Sequence, residues 1–335
     1  MSEKRPIDRI RESAASMTIG HESDGPITGM ATIGERLYIL KERAIYLMQM
    51  ADDIDPQRTR ADIPNTQQLV VSAGTSSEVV QKILLTGREL FRADRLIDQV
   101  DWNAVLEIIL EVLKEAVAAA QIKDTLLAET QTTRELALSP KDRSLHLPSV
   151  IDLEGRTKAF IQRTEHAVQG LFRVCKQFYS EEALKRRGGW LDGFVTTVKE
   201  THPEAGAFAS FAEQFAGFGK FVRAVRNCVE HPKPQQRIIL ADFRLLPSRE
   251  LIEPTIEVIH PSMAEPAIPL TEFMQQVSDA IPALAETLWA YLASSHMKPL
   301  GNFPIAVGEV PEDQRRDGVR YGYMIAIGGE WSRLG

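Results

Sequence analysis

From Trp102 to Thr132 the chain contains no glycine and no proline, and alanine, leucine, glutamate and lysine recur throughout. These residues lose little rotamer freedom in a helix, and nothing in the segment interrupts the backbone ladder. A single long α-helix is the expected result. The rest of the chain has to pack around that rod, because a helix of this composition is stable in water chiefly through the face it buries.

On either side, hydrophobic spacing predicts a mainly α fold. Ile33, Leu37, Leu40, Ala44, Leu47 and Ala51 recur at intervals of four and three, the seam of a bundle helix running from about Ala31 to Ala51. A further helix is expected from about Ser77 to Leu96. Between them, Asp52 to Ser77 is broken by Pro56, Pro64 and Gly74 and reads as a long irregular connection, with Pro64-Asn65-Thr66 as the start of a short helix. Residues 1–28 mix serine, glycine, proline and charge without a period and are expected to be a flexible arm. Residues 29–140 are thus expected to be an all-helical N-terminal region without a catalytic constellation. Met48 and Met50 there read as packing.

Ser139 to Pro148, with two prolines and mixed charge, is the expected domain boundary. Beyond it, helices are predicted over Ser149–Tyr179, Trp190–Glu200 and Phe208–Glu230, with a basic turn over Ser180–Gly189. Leu153, Phe160, Ile161, Val168, Leu171, Phe172 and Cys175 mark the buried side of the first. After Pro234 the period changes from 3.6 to 2. Residues 237–246 and 251–259 read as a β-hairpin turning at Pro247-Ser248-Arg249-Glu250. A last helix, Leu270–Ser295, is expected to kink or divide at Pro282. Within the C-terminal extension 298–335, residues 303–310 and 319–327 offer a second hairpin, with Asp317-Gly318 in the loop.

Composition narrows the function classes. At 335 residues, 44% hydrophobic and 25% charged, the chain can bury a sizeable core, in two domains on the expected boundary. A formal net charge of −7 argues against coating nucleic acid indiscriminately. No apolar run reaches the 18 residues a membrane span needs, and Met1–Gly20 lacks an apolar signal core, so a cytoplasmic location is expected, with no membrane partner. Cys175 and Cys228 read as reduced core residues. Of seven histidines none forms a His-x-x-x-His or His-Glu-x-x-His pair, so no metal is expected; no glycine-rich phosphate loop, Gly-x-Ser-x-Gly or dinucleotide fingerprint occurs either. His166 and His202 read as exposed or satisfied side chains. Two segments are locally basic: Arg156 to Arg187, and Lys220, Arg223, Arg226, Lys233 and Arg237 around a single Glu230. A restricted anion-binding site and solvated helix faces both fit that pattern.

The second basic segment contains the stretch richest in chemistry, Gly219 to Pro232. Phe218, Phe221, Val222, Val225, Cys228 and Val229 share one arc of its helical wheel, and Arg226 sits at the edge of that arc. Pro232 ends the helix and pushes His231 out of helical geometry. Arg226 and His231 then lie about 7.5 Å apart along the axis, within reach of one phosphate. The plainer alternative pairs Arg226 with Glu230 at i, i+4 and leaves His231 as a cap.

Arg226, Asn227 and His231 match, position by position, the pattern Arg, four to six residues, His, with a polar residue directly after the arginine. In this the chain resembles the HEPN family (higher eukaryotes and prokaryotes nucleotide-binding) over roughly residues 149–297. The resemblance implies an antiparallel helical bundle, here carrying a β-hairpin insertion, and metal-independent endoribonuclease activity without a cofactor. Arg226, Asn227 and His231 are its catalytic candidates; the flanking cations Lys220, Arg223 and Lys233 are the candidate RNA contacts. One Arg–His pair supplies half of an acid–base couple, and the family completes it across a homodimer. Family analogy also implies a toxin or phage-defence role with an antitoxin or other protein partner. Two rival classes stand beside the enzyme: a non-catalytic RNA- or nucleotide-binding module, and a helical interaction protein.

Overall fold

A computed structural model describes residues 5–13, 17–136, 144, 146–186, 188 and 190–334. After α1 (Pro6–Arg11), the chain forms an antiparallel meander of β1 (Ile27–Ile33), β2 (Arg36–Lys41), β3 (Ile45–Gln49) and, beyond the single turn α2 (Ala51–Ile54), β4 (Thr66–Val71). Next come α3 (Glu78–Val80), a π-helical turn over Gln81–Leu85, α4 (Thr86–Leu90) and α5 (Trp102–Leu136). The helical series continues with α6 (Leu153–Phe178), α7 (Glu181–Arg186), α8 (Trp190–Thr201) and α9 (Gly206–Glu230). Then follow β5 (Arg237–Ala241), β6 (Arg244–Leu245), β7 (Leu251–Ile252), β8 (Thr255–Ile259) and β9 (Glu265–Pro269), which leads directly into α10 (Leu270–Ser295). The chain closes with β10 (Ile305–Glu309), β11 (Tyr321–Ile327) and β12 (Glu330–Arg333).

Helix takes 50% of the chain and strand 21%, so the fold is an α/β mix and not the mainly α bundle expected. The largest correction falls on the N-terminal region, which is not all-helical. The segment expected as one helix over 31–51 is three strands. Gly34 and Glu35 make a two-residue turn between the paired Ile33 and Arg36, and Gly34 takes the positive φ of 61° that such turns demand. Tyr38 and Leu40 enter the main core, whereas Leu37 and Ile39 belong to a smaller cluster with Ala44, Tyr46 and Met48 on the opposite face. Because both faces are covered, β2 reads as a continuous apolar run. The alternation that marks a half-buried strand is erased, and a helical period can be drawn through the residues that remain. Pro64-Asn65-Thr66 leads into β4, not a helix.

The N-terminal stretch expected as an arm is tied to this sheet. Ile19 packs on the smaller cluster, the Gly20 N–H donates to Gln67 Oε1 at 2.8 Å, and the Arg11 guanidinium lies 3.4 Å from Asp52 and 3.5 Å from Asp55.

The helices expected over Trp102–Thr132, Ser149–Tyr179, Trp190–Glu200 and Phe208–Glu230 are all present. The turn over 180–189 contains α7, and α10 runs unbroken from Leu270 to Ser295 with Pro282 inside it. The expected boundary at 139–148 falls mostly outside the described residues. Across it, α5 packs along α6, where Gly170 brings the two backbones together: a Cβ at that position would sit 2.5 Å from Val112 Cγ2. The inserted hairpin is larger than expected. β8 pairs on one edge with β5 and on the other with β9, while β6 and β7 form a separate two-stranded ribbon at the turn. The C-terminal hairpin forms as expected and gains β12; Tyr323 Oη donates to Leu90 O at 2.7 Å and Arg333 pairs with Glu89, which fixes this sheet to α4.

Besides the small cluster on the outer face of the N-terminal sheet, two apolar cores result. The larger gathers the N-terminal sheet, α4, the first half of α5, α6, α8, the first half of α9 and the second half of α10 around Phe91, Phe194, Phe215 and Trp289. The indole N–H of Trp289 donates to Ile83 O in the π-helical turn at 3.1 Å. The smaller core lies under the β5-β8-β9 sheet, where Ala119 and Leu126 of α5 meet Phe160, Ile161, Val225, Cys228, Phe273 and Met274. It seats the C-terminal end of α9. Both cysteines are free and buried, and burial pushes both thiols up.

Two outcomes are expected from this packing. Gly170→Ala should lower the unfolding free energy by about 1–2 kcal/mol in urea titrations, because overpacking against Val112 outweighs the gain in helix propensity. Adding Val112→Ala should restore part of that loss. Glu286, buried on α10, has its carboxyl raised by burial against the pull of Lys82, Arg320 and Arg315. A raised folded-state value means that its contribution is present below the ordinary carboxylate range and is lost as pH rises through the folded value. Glu286→Gln should therefore raise the melting temperature at pH 8 more than at pH 4.

Candidate functional site

α9 is built to end where it does. Phe211, Phe215, Val225 and Cys228 hold one face in the two cores, and Gly219 lies close under Leu191 of α8 and Val168 of α6. At its end, His231 has left helical geometry, with φ −132° and ψ 58°, as the following Pro232 requires. The His231 N–H donates to Asn227 O at 3.0 Å, and Gln236 Nε2 donates to the same carbonyl at 3.2 Å. Lys233 and Gln236 exchange both backbone hydrogen bonds across Pro234-Gln235, and this tight turn starts β5. The end of the helix is thereby locked to the sheet that covers the smaller core.

The predicted residues do not all meet. Arg226 and Asn227 are partly buried and His231 is exposed, all within this last stretch. Lys220 is committed to Asp192 of α8 through an ion pair of 2.5 Å. Arg223 stacks its guanidinium 4.5 Å over the Trp190 ring. Lys233 is exposed on the turn beyond His231. The candidate set therefore divides: Arg226, Asn227, His231 and Lys233 surround the helix end, and Lys220 and Arg223 belong to the seam between α8 and α9.

What organises the helix end is Glu230. Its Oε2 pairs with Arg226 Nη2, its Oε1 accepts from Gln162 Nε2 of α6 at 2.9 Å, and the side chain is 18% exposed. Arg226 Nη1 also donates to Asn227 Oδ1 at 3.4 Å. The Glu230 carboxyl is held below its ordinary value, first by the Gln162 hydrogen bond and then by the charge of Arg226, with further pulls from Lys158 and His231. One carboxylate thus stands among an amide, a guanidinium, an ammonium and an imidazole. The i, i+4 pair of the plainer reading is present, and the Arg–His pair lies around it.

Gln162 and Lys158 come from α6, 68 and 72 residues before Glu230. Lys158 was visible only as one cation of a basic segment, and Gln162 carried no signal, since a glutamine on a helix face is ordinary. Three cations of that basic segment are engaged elsewhere: Arg156 with Glu129, Arg163 with Glu115 and Arg173 with Glu111, all across the α5–α6 seam. Among the described residues Lys158 makes no ion pair. It lines an open groove of about 470 Å³ beside the helix end, together with Asp152, Val229, Pro232, Arg237 and Ile238.

His166 is exposed beside Glu115, and His202 shares a 3.0 Å hydrogen bond with Tyr179 Oη in an aromatic cluster with Phe208 and His296. Among the described residues no three His, Cys, Asp or Glu side chains come together as a metal site requires, and no helix is long and apolar enough to cross a membrane. No family model, curated protein or solved structure matches the chain.

The depressed Glu230 value implies a stabilising contribution present above the ordinary carboxylate range and lost as pH falls through the folded-state value. In a ¹³C NMR titration of the Glu230 carboxyl, Gln162→Leu and Arg226→Ala should each move its midpoint upward. A midpoint unmoved by both changes would show that neither group holds the carboxylate.

Proposed function

We propose that the C-terminal end of α9 is a site for an RNA phosphate, and that the chain is a metal-independent endoribonuclease acting through Arg226, Asn227 and His231. The supporting observation is that Arg226 and His231 both stand at one solvent-open helix end, beside a groove lined by the cations Lys158 and Arg237 and by the carboxylates Asp152 and Glu154. The chemistry needs two such pairs, one as base and one as acid, and the RNA substrate. The 2′-hydroxyl attacks the adjacent phosphorus once its proton is taken, the P–O5′ bond breaks, and the leaving oxygen takes a proton. His231 serves as base or acid, because imidazole titrates near neutrality. The Arg226 guanidinium hydrogen-bonds phosphate oxygens and favours the added charge of the transition state. Asn227 orients the pair through its amide. A second copy of the chain supplies the other half of the acid–base couple.

A specific observation favours a second reading: the Arg226–Glu230 ion pair leaves much of the guanidinium already satisfied, as suits an RNA- or nucleotide-binding module that does not cut.

One experiment separates the two. Purified protein should cleave single-stranded RNA in EDTA, leave 2′,3′-cyclic phosphate ends and spare DNA, which lacks the attacking hydroxyl. His231→Ala and Arg226→Ala should each lower the rate by about 10²–10⁴-fold. Arg226→Lys should rescue poorly because the planar fork is gone. Cleavage unchanged in His231→Ala overturns the catalytic reading. RNA binding that weakens in Arg226→Ala without any cleavage installs the binding module instead.

A further inference from the structure

The placement of Glu230 conflicts with the helix it ends. The last turn of α9 carries this carboxylate and no cation of its own, at the pole of the helix dipole where negative charge is disfavoured. Donors from outside that turn offset the cost. Gln162 of α6 holds one oxygen and Arg226 the other, while Lys158 and His231 attract the group electrostatically. Among the described residues neither Lys158 nor His231 makes an ion pair of its own. A carboxylate and a phosphodiester each present two oxygens sharing one negative charge, so a donor set that fits one fits the other.

From this arrangement we infer that the Glu230 carboxylate occupies the anion position of the site, so that an incoming phosphate must displace it to reach Arg226. The inference rests on the reading of the helix end as a phosphate site. It goes beyond that reading by making the site self-occluded, with Glu230 a competing internal anion and not a partner in the chemistry. Displacement is geometrically simple. Glu230 is the last residue of α9, its side chain is partly exposed, and it belongs to neither core. A rotation about its side-chain bonds frees the guanidinium while Gln162 and Lys158 stay in place to receive the phosphate. If Glu230 were only a structural ion-pair partner, removing its charge would leave Arg226 less well positioned and weaken anion binding. The two roles predict opposite signs.

The test uses the full chain and two probes: a fluorescein-labelled oligouridylate made uncleavable by 2′-O-methyl groups, followed by anisotropy, and inorganic pyrophosphate, followed by calorimetry. Glu230→Gln keeps a carbonyl to accept from Gln162 and removes the charge. It should bind both probes on the order of tenfold more tightly than wild type, the scale of one unit charge removed from beside a phosphate at a partly exposed site. The gain should shrink as salt is raised and should vanish in the Arg226→Ala/Glu230→Gln double variant. Glu230→Asp, whose shorter side chain reaches Arg226 less well, should gain in the same direction and covers the case in which the glutamine variant melts early. Equal or weaker binding of both probes by folded Glu230→Gln and Glu230→Asp overturns the inference, even if wild type cuts RNA. A gain on pyrophosphate with no binding of RNA by any variant upholds the occluded anion site and removes the RNA reading.

Discussion

The packing of α5 is the constraint on which the rest of the structure depends. A 35-residue helix is about 52 Å long, longer than one small core can cover. The chain meets this by building two cores along it. The first half of α5 is shared between the N-terminal sheet, α6 and α10. Further along, Ala119 and Leu126 reach the separate core under the β5-β8-β9 sheet. At Gly170 the absence of a side chain lets α6 lie close to Val112 of α5, and ion pairs from Arg156, Arg163 and Arg173 line the seam outside. These exposed pairs contribute little each, so the seam is set by apolar packing and its charges fix register more than stability.

The same seam places the candidate site. α6 is held on α5, α9 packs on α6, and Gln162 therefore arrives opposite Glu230. The sheet that follows α9 closes the smaller core and locks the helix end through the Lys233–Gln236 turn. Charges that appear scattered along the chain are thus sorted by the fold. Lys220 and Arg223 serve the α8–α9 seam, and Arg156, Arg163, Arg173 and Lys185 pair with neighbouring glutamates. Lys158, Arg226, His231 and Lys233 are left around one helix end. The chain's acidic net charge and a local anion site are compatible because the sorting is done by packing.

The helices α5, α6, α8, α9 and α10 were legible because each carries a local signal of its own, such as a long stretch of helix formers, an apolar arc or a proline near its end, whereas α7 falls in a segment that reads as a basic turn. The change of period at Arg237 announced the strands, since alternation is also a local property. The N-terminal meander was misread for a physical reason. With Tyr38 and Leu40 facing the main core and Leu37 and Ile39 the small cluster on the sheet's opposite face, no alternation survives, and spacings of four and three can be found in any dense apolar run. The β-branched and aromatic residues Thr32, Ile33, Tyr38, Ile39, Ile45 and Tyr46, together with Gly34 at a two-residue turn, were the signals that could have decided it.

At the helix end, the sequence by itself determined that α9 stops at Glu230, that His231 leaves helical geometry, and that Arg226 and Glu230 lie one turn apart on the same face. Proline geometry and the helical repeat require all three without reference to the rest of the chain. Only the tertiary structure decided which charges meet there. Gln162 and Lys158 are about 70 residues away in the chain and reach Glu230 because α6 packs on α9, and no local pattern encodes which faces of two helices will touch. Whether a given cation stands free or paired is likewise a property of packing, because it depends on which carboxylate the neighbouring element brings within about 4 Å.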